Sequence, residues 1–195
     1  MIKTRVVALF FVLYFMGFNA FAVEPSPLTA HFVAGVGFKV PAAWKRQSPS
    51  SAMRRIQYEI PAAEGEKEPA TFAVFYFGPG EGGLSASNVA RWHSQFTEAP
   101  AGFTPEIYGG SVDDLKVSTV HFEGTYRDPM AGVSEPKRDF AMLGAIIEGP
   151  EGPIFFKLTG PRASILSARP AFDLMIRSIR RSKLGQREEG KKKAL

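Results

Sequence analysis

The sequence predicts an α+β protein in which one antiparallel sheet of about five to seven strands is flanked by helices. Three observations carry this prediction. Residues 52–60 alternate between apolar and polar side chains, which is the period of a half-buried strand. Residues 87–97 place apolar side chains at helical spacing. Apolar runs at 140–148 and 154–159 are joined by the segment GPEGP (149–153), which indicates a hairpin and therefore antiparallel pairing.

The first 22 residues have the pattern of a secretory signal peptide. Lys3 and Arg5 precede an apolar run over 6–18, and Ala-Phe-Ala at 20–22 fits the small-x-small pattern before a cleavage site. An uncleaved membrane anchor is the alternative, but a spanning helix needs about 20 apolar residues, more than this segment holds. We therefore expect a periplasmic or secreted protein.

Composition excludes several classes of protein. The absence of cysteine excludes disulfide staples, thiol nucleophiles, thiolate metal sites and lipoprotein acylation. The 24 basic and 19 acidic residues give a net charge of +5. Two of the basic residues lie in 1–22, and five basic and two acidic residues lie in 183–195, so residues 23–182 carry 17 of each sign. A neutral body argues against a nucleic-acid partner.

A single domain over residues 31–182 follows a polar lead-in at 23–30. Residues 31–40 are predicted to form a strand or strand pair, and Trp44 is expected to plug the end of the sheet. The aromatic-rich run at 71–77 is short enough for a central strand, with its phenylalanines in the core. The tail at 183–195 is expected to be disordered and to make at most a peripheral contact with an anionic membrane.

The middle of the chain predicts a helix over 87–97, capped by Ser85 or Ser87. A Pro/Gly-rich connection then runs to Gly110, and a strand follows over 116–125. The helix has two predicted faces. The buried face holds Val89, Trp92, His93 and Phe96, and the exposed face holds Asn88, Arg91 and Gln95.

After the predicted loop at 127–138 and the hairpin, a helical stretch follows Pro161. Ile165 and Phe172 are among the apolar residues on its inner side. Pro170 predicts two helical segments or a kink, because proline removes a helical hydrogen bond.

Two segments resemble those of PsbP-like domains. VGFKVPAAW (36–44) is similar to the entry strand of that family, and Met-Ile-Arg-Ser-Ile (175–179) is similar to the end of its last helix. The resemblance covers about residues 31–181 and implies an antiparallel sheet flanked by helices. The family includes photosystem accessory proteins, nuclear transport factors and uncharacterised exported bacterial proteins, among which this chain resembles the last group. The resemblance lowers the expectation of catalysis and supplies no site residues.

The segment GPGEGG (78–83) matches G-x-G-x-x-G between a strand and a helix. Three features argue against a dinucleotide site: predicted export, the carboxylate of Glu81 where a pyrophosphate would lie, and the absence of a following βαβ unit. Glycine-rich backbone before a helix can bind a small anion through its N–H groups. The candidate binding residues are Gly80, Gly82, Gly83, Ser87, Asn88 and Arg91.

Other motifs give weaker signals. Ser134 and Lys137 spell S-x-x-K, but S-D-N and K-T-G are missing, which favours a surface loop. His31, His93 and His121 show no H-x-x-x-H spacing, and His93 is expected to be a core histidine. A metal site built across the fold from these histidines with Asp113, Asp114 or Glu123 stays as an alternative.

The sequence therefore predicts an exported, non-catalytic binding or accessory protein of the cell envelope. Its partner is expected to be an unknown envelope protein or a small anion, and no cofactor, metal or nucleic acid is expected. The alternative is a periplasmic hydrolase whose metal or serine site is assembled across loops.

Overall fold

The computed structural model describes residues 27–128 and 135–182. The predicted signal peptide, the tail at 183–195 and Ser134 lie outside the described residues. The first strand already begins at Leu28, inside the predicted lead-in. Pro41 ends the second strand, as the sequence predicts.

The described residues form eleven strands and two helices. In chain order they are β1 (Leu28–Val33), β2 (Val36–Pro41), β3 (Lys45–Gln47), β4 (Arg54–Ile60), β5 (Ala70–Tyr76), α1 (Ser85–His93), β6 (Phe96–Thr97), β7 (Glu106–Val112), β8 (Leu115–Tyr126), β9 (Lys137–Gly149), β10 (Gly152–Pro161), α2 (Arg162–Arg177) and β11 (Arg180–Arg181).

The strands build two antiparallel sheets. The large sheet has the order β3-β4-β5-β10-β9-β8-β6, with β7 also paired to β8, and the small sheet has the order β1-β2-β11. Every described strand pair is antiparallel, so α1 does not connect parallel strands as a dinucleotide-binding helix does. The α+β class is confirmed, but five to seven strands in one sheet is wrong. One added strand, β7, replaces the predicted connection to Gly110.

Two hydrophobic cores lie on opposite faces of the large sheet. Phe155 and Phe156 are neighbours in β10 and belong to different cores, since successive strand residues point to opposite faces. The larger core holds Phe156 and is covered by α2 and the small sheet, while the smaller core holds Phe155 and is covered by Trp92 of α1. Trp44 packs against Phe72 within the larger core, as expected.

The predicted faces of α1 are wrong at three positions. Asn88 and Gln95 are buried, whereas His93 is exposed and stacks on Phe122 at 5.0 Å between ring centroids. The helix ends at His93, so Gln95 lies beyond it and turns its amide toward the sheet. The prediction that the phenylalanines of residues 71–77 lie in the core is also wrong for Phe77, which is exposed just after β5.

Helix α2 continues through Pro170 as one element, so the prediction of two segments is wrong. Proline removes one helical hydrogen bond, and the burial of Ile165 and Phe172 on either side offsets that loss. Neither helix in the described ranges is long and apolar enough to cross a membrane.

Candidate functional site

A groove of about 570 Å³ lies between α1 and the β7–β8 pair. It forms because α1 packs toward the middle of the sheet and leaves the face of β7 uncovered. Its walls are formed mostly by small and apolar side chains, together with His93 and two serines, and no Asp, Glu, Lys or Arg is among the described residues that line it. The main wall residues are Ala86, Val89 and Ala90 of α1, Ile107 and Gly109 of β7, and Ser118 of β8.

Large apolar side chains are exposed at the groove and beside it. Ile107 lines the groove and is 54% exposed, its strand neighbour Tyr108 points to the opposite face of β7 and is 62% exposed, and Leu84, just before α1, is 76% exposed. Contiguous exposed apolar surface typically marks an interaction site, because its transfer out of water stabilises a complex. The groove and the exposed Ile107 together make an apolar open surface.

The two edges of the large sheet differ in a way that favours one of them for binding. β3 has three residues, with Lys45 and Arg46 exposed, so it is short and charged. β7 has seven residues, is exposed over 107–111, and pairs only with β8 among the described strands. Short charged edges resist the addition of another strand, whereas a long edge that is uncharged after its first residue, Glu106, offers unpaired N–H and C=O groups to one. The β7 edge is therefore open to a further strand.

The predicted anion-binding residues form a local clamp before α1. The buried Asn88 amide donates hydrogen bonds to the carbonyls of Gly82 at 2.7 Å and Leu84 at 3.0 Å. Arg91 in turn donates to the Asn88 side-chain oxygen. The structure therefore brings Gly82, Asn88 and Arg91 together and gives Asn88 a clear role in holding the glycine loop.

Gly83 lies beside this clamp, since an added Cβ there would lie 3.8 Å from the Asn88 amide nitrogen, but Gly80 and Ser87 stand apart from it. Ser87 is exposed on α1, and an added Cβ at Gly80 would meet no atom within 4 Å. The predicted serine cap is wrong, because the helix begins after Leu84 without a side-chain cap. Ser85 instead lies 3.4 Å from a carboxylate oxygen of Glu148, so an acidic side chain of this protein lies near the start of the helix.

A chain of charged groups joins β7 and β8 to α2. Glu106 binds Arg169 through two hydrogen bonds of 3.1 and 2.5 Å, and it lies 3.2 Å from His121 Nδ1. On the other side of the buried imidazole, Nε2 lies 3.1 Å from Glu123, without the angle of a hydrogen bond. Glu123 also accepts a hydrogen bond from Arg162.

This network keeps Glu106 ionised. The Arg169 guanidinium is the largest effect and holds the pKa of Glu106 at about 2. Burial, the second-largest effect, opposes it, and His121 lowers the pKa further. Both carboxylates beside His121 are thus engaged by arginines. The network ties the position of β7 to α2, and thereby positions the edge that borders the groove.

The alternative metal and serine sites find little support in the geometry. In the described ranges no group of three or more His, Asp or Glu side chains is arranged to hold a metal ion. Lys137 is the first residue of β9, whereas the serine acyl-enzyme motif requires its lysine one helical turn after the serine. His31 donates to or accepts from the Tyr58 hydroxyl at 2.7 Å and lies within the packed small sheet.

Comparison with known proteins gives similar folds but no named family. No family model and no curated protein matches the chain. A cyanobacterial PsbP from Synechocystis sp. PCC 6803 is similar in structure, with a TM-score of 0.49 and 13% identity over 81% of this chain and 94% of that one. A protein of unknown function from Pseudomonas aeruginosa has a TM-score of 0.43 and 15% identity over 77% and 94%. A PsbP is thus among the similar structures, as the sequence predicts. Since both TM-scores lie below 0.5, nothing about the site is drawn from either protein.

The sequence alone missed the groove and the edge beside it. Residues 106–112 read as a connection because Gly109 and Gly110 interrupt the alternation of side chains. The signal that was present is the pair Ile107 and Tyr108, since β-branched and aromatic residues favour strands. Their exposure depends on where α1 lies, which no local pattern reports.

Proposed function

We propose that this chain is an exported, non-catalytic binding protein of the cell envelope that takes an extended segment of a partner protein at the outer edge of β7. Export is supported by the signal-peptide pattern of residues 1–22. Binding is supported by one observation above all. β7 is a seven-residue edge strand whose outer side pairs with no described strand, and it lies beside a groove without Asp, Glu, Lys or Arg.

The geometry defines the chemistry of the partner segment. An added strand would gain backbone hydrogen bonds from β7, and every second side chain would point toward the α1 face, where the groove lies. Because Asp, Glu, Lys and Arg are lacking along the groove, a charged side chain placed there would lose hydration and would meet mainly the side chains of Ser85, His93 and Ser118 as polar groups. The partner segment is therefore extended, uncharged and apolar at alternate positions.

A second copy of this chain fits the edge less well. In an antiparallel self-pairing centred on Gly109, the Gly109 residues of the two copies would lie opposite each other. The second copy would then place a glycine beside the part of the groove wall that Gly109 and Ser118 form. A glycine carries no side chain, so the groove would stay unfilled. A self-pairing centred between Gly109 and Gly110 would place Glu106 of one copy directly opposite Asp113 of the other. Like charges directly opposite each other destabilise a strand pair.

Photo-crosslinking in cells tests the proposal. A photoreactive phenylalanine analogue at position 108 is expected to crosslink to an envelope polypeptide, and the same analogue at position 45 on the opposite edge is expected to give no such product. Mass spectrometry of the crosslinked peptide is expected to show an extended apolar segment. Crosslinking only to a second copy of this chain, or equally from position 45, would overturn the proposal.

A groove-filling variant provides the matched test. Ala90→Trp places a large side chain in the groove, so it is expected to abolish the crosslink from position 108. Ala43→Trp makes the same substitution at an exposed site between β2 and β3 and is expected to leave the crosslink intact. Both variants are expected to keep the melting temperature of the parent, because both alanines are exposed.

A further inference from the structure

Lys157 is a cation in the middle of a strand that otherwise supplies both cores. It lies on the same face of β10 as Phe155, toward α1, and is partly buried. Its ammonium group donates hydrogen bonds to Gln95 Oε1 at 2.8 Å and to the Tyr126 hydroxyl at 3.0 Å. An ammonium group has three N–H donors, and the third has no acceptor among the described residues.

Two arginines lie near this ammonium group. Arg54 comes from β4 and donates to Gln57 Oε1 at 3.0 Å, and Arg91 comes from α1 and donates to Asn88. The Arg54 guanidinium lies over the Phe75 ring, and Phe75 pairs with Phe155, which is two residues before Lys157 on the same face of β10. The charges of both arginines also lower the pKa of Lys157. Within the described ranges, none of the three cations lies within 4.0 Å of a carboxylate oxygen.

The remaining groups around Lys157 leave a net positive charge. Asp128 is the one carboxylate whose charge acts on Lys157, and it raises the pKa. Burial is the largest effect and lowers the pKa of Lys157 to about 8, so the group still carries its charge at neutral pH. Burial also raises the pKa of the Tyr126 hydroxyl, which therefore keeps its proton. That proton has no acceptor among the described residues, since the hydroxyl oxygen is itself the acceptor for Lys157.

We propose that Lys157, Arg54, Arg91 and the Tyr126 hydroxyl form a binding site for a phosphate group. Phosphate combines up to two negative charges with several acceptor oxygens, which suits an ammonium group, two guanidinium groups and a hydroxyl donor. A free phosphate ion and the phosphodiester of a lipid headgroup share this chemistry. The site shares only Arg91 with the anion site predicted from the glycine loop, and it shares no residue with the groove at β7.

Calorimetric titration with inorganic phosphate tests the site directly. The chain from Val23 onward is expected to bind phosphate, and Lys157→Met is expected to weaken binding about tenfold or more, since it removes a charged donor. Lys39→Met changes an exposed lysine of β2 in the same way and is expected to bind like the parent. No binding by the parent, or equal weakening by Lys39→Met, would overturn the proposal.

Variants of the two arginines test the site even if Lys157→Met unfolds the protein. Arg54→Gln and Arg91→Gln alter a half-buried and an exposed residue, and each is expected to weaken phosphate binding at least severalfold while the protein stays folded. Full binding by both variants would overturn the proposal.

The pH dependence of sulfate binding tests the role of Lys157 separately. Sulfate keeps the same charge over the whole range, and it is expected to bind less tightly as the pH rises from about 7 to about 10, because Lys157 loses its proton above about 8. The affinity of Lys157→Met is expected to change little over that range. A parallel pH profile for the two proteins would contradict the proposed role.

Vesicle co-sedimentation separates the two sources of phosphate. Binding to phosphatidylglycerol vesicles that is competed by inorganic phosphate, and lost in Arg54→Gln, would assign the site to a lipid headgroup. Phosphate binding without vesicle binding would assign it to a soluble phosphate. If vesicle binding is unchanged in Arg54→Gln and is not competed by phosphate, the proposed site is not the cause of that binding.

Discussion

At the scale of single residues, the contacts of charged side chains explain how β7 is held in position. Glu106 stands at the start of β7, and its hydrogen bonds to Arg169 cross from the sheet to α2. His121, directly opposite Glu106 on β8, is buried between Glu106 and Glu123. The edge strand is thus held in place at one end by ionic contacts, while the rest of it is exposed.

Replacement of Glu106 by glutamine is expected to lower the melting temperature at neutral pH. The folded-state pKa of Glu106 is about 2, below its ordinary value of 4.5, so its contribution to stability is present above the ordinary value and is lost as the pH falls through about 2. The difference in melting temperature between Glu106→Gln and the parent is therefore expected to narrow from about pH 5 to about pH 2.

Thermal denaturation followed by circular dichroism over this pH range makes the comparison. Glu64→Gln changes an exposed carboxylate with no described side-chain partner and is expected to match the parent throughout. A Glu106→Gln difference that stays constant with pH would contradict the assigned role of its charge.

At the scale of elements, the turn between β5 and α1 shows how a glycine-rich segment gains a fixed shape. Gly82 has a φ of +96° and lies against the Phe155 ring, where an added Cβ would come within 2.8 Å. Its carbonyl is held by Asn88. The segment is therefore a structured turn, and it positions α1 against the smaller core.

The effect of alanine at two glycines of this turn separates backbone strain from packing. Gly80 also has a positive φ, of +75°, but nothing lies within 4 Å of its added Cβ. Gly80→Ala is expected to lower the free energy of unfolding by about 1 to 2 kcal/mol. Gly82→Ala is expected to lower it by a further amount of about 1 to 3 kcal/mol, because Phe155 must move.

Urea denaturation of the two variants measures both effects. Gly80→Ala serves as the control for backbone strain, since the two positions share the sign of φ. Equal losses at the two positions would show that Phe155 does not restrict Gly82.

At the scale of the whole molecule, the large sheet is covered unequally. α2 and the small sheet cover one face, while α1 covers only part of the other. The partly covered face carries both the groove at β7 and the cationic group around Lys157. Both proposed binding surfaces therefore follow from one feature, the small size of the core beneath α1.

Export of the whole chain is expected to yield a protein that begins at Val23, since the small-x-small pattern ends at Ala22. Intact mass and N-terminal sequence of protein recovered from the periplasm or the medium measure this. A version in which Ala20 and Ala22 are both replaced by arginine is expected to keep residues 1–22. Recovery of the unprocessed parent chain in the cytoplasm would contradict predicted export.

Periodicity in the sequence predicts the α+β class, the β9–β10 hairpin and most core positions. These features depend on alternation and turn residues that act within a few positions of one another. The candidate site was predicted less well: Asn88 and Arg91 do lie together, but Asn88 serves the turn, and Ile107, Tyr108 and Lys157 were missed. Asn88 is buried because its amide bonds to the loop before α1, and Gln95 is buried because α1 ends at His93, two contacts that the helical period does not report.

The sequence by itself determined the class of fold, the antiparallel hairpin and the neutral charge of the body, because each is written in local pattern or composition. Only the tertiary structure decided which edge strand is left open, where α1 leaves a groove, and which cations meet around Lys157. Arg54, Arg91 and Lys157 are far apart in the chain, and strand order together with the packing of α1 on the sheet brings them together. Such proximity depends on pairing between distant segments, and one sequence carries no local signal for it.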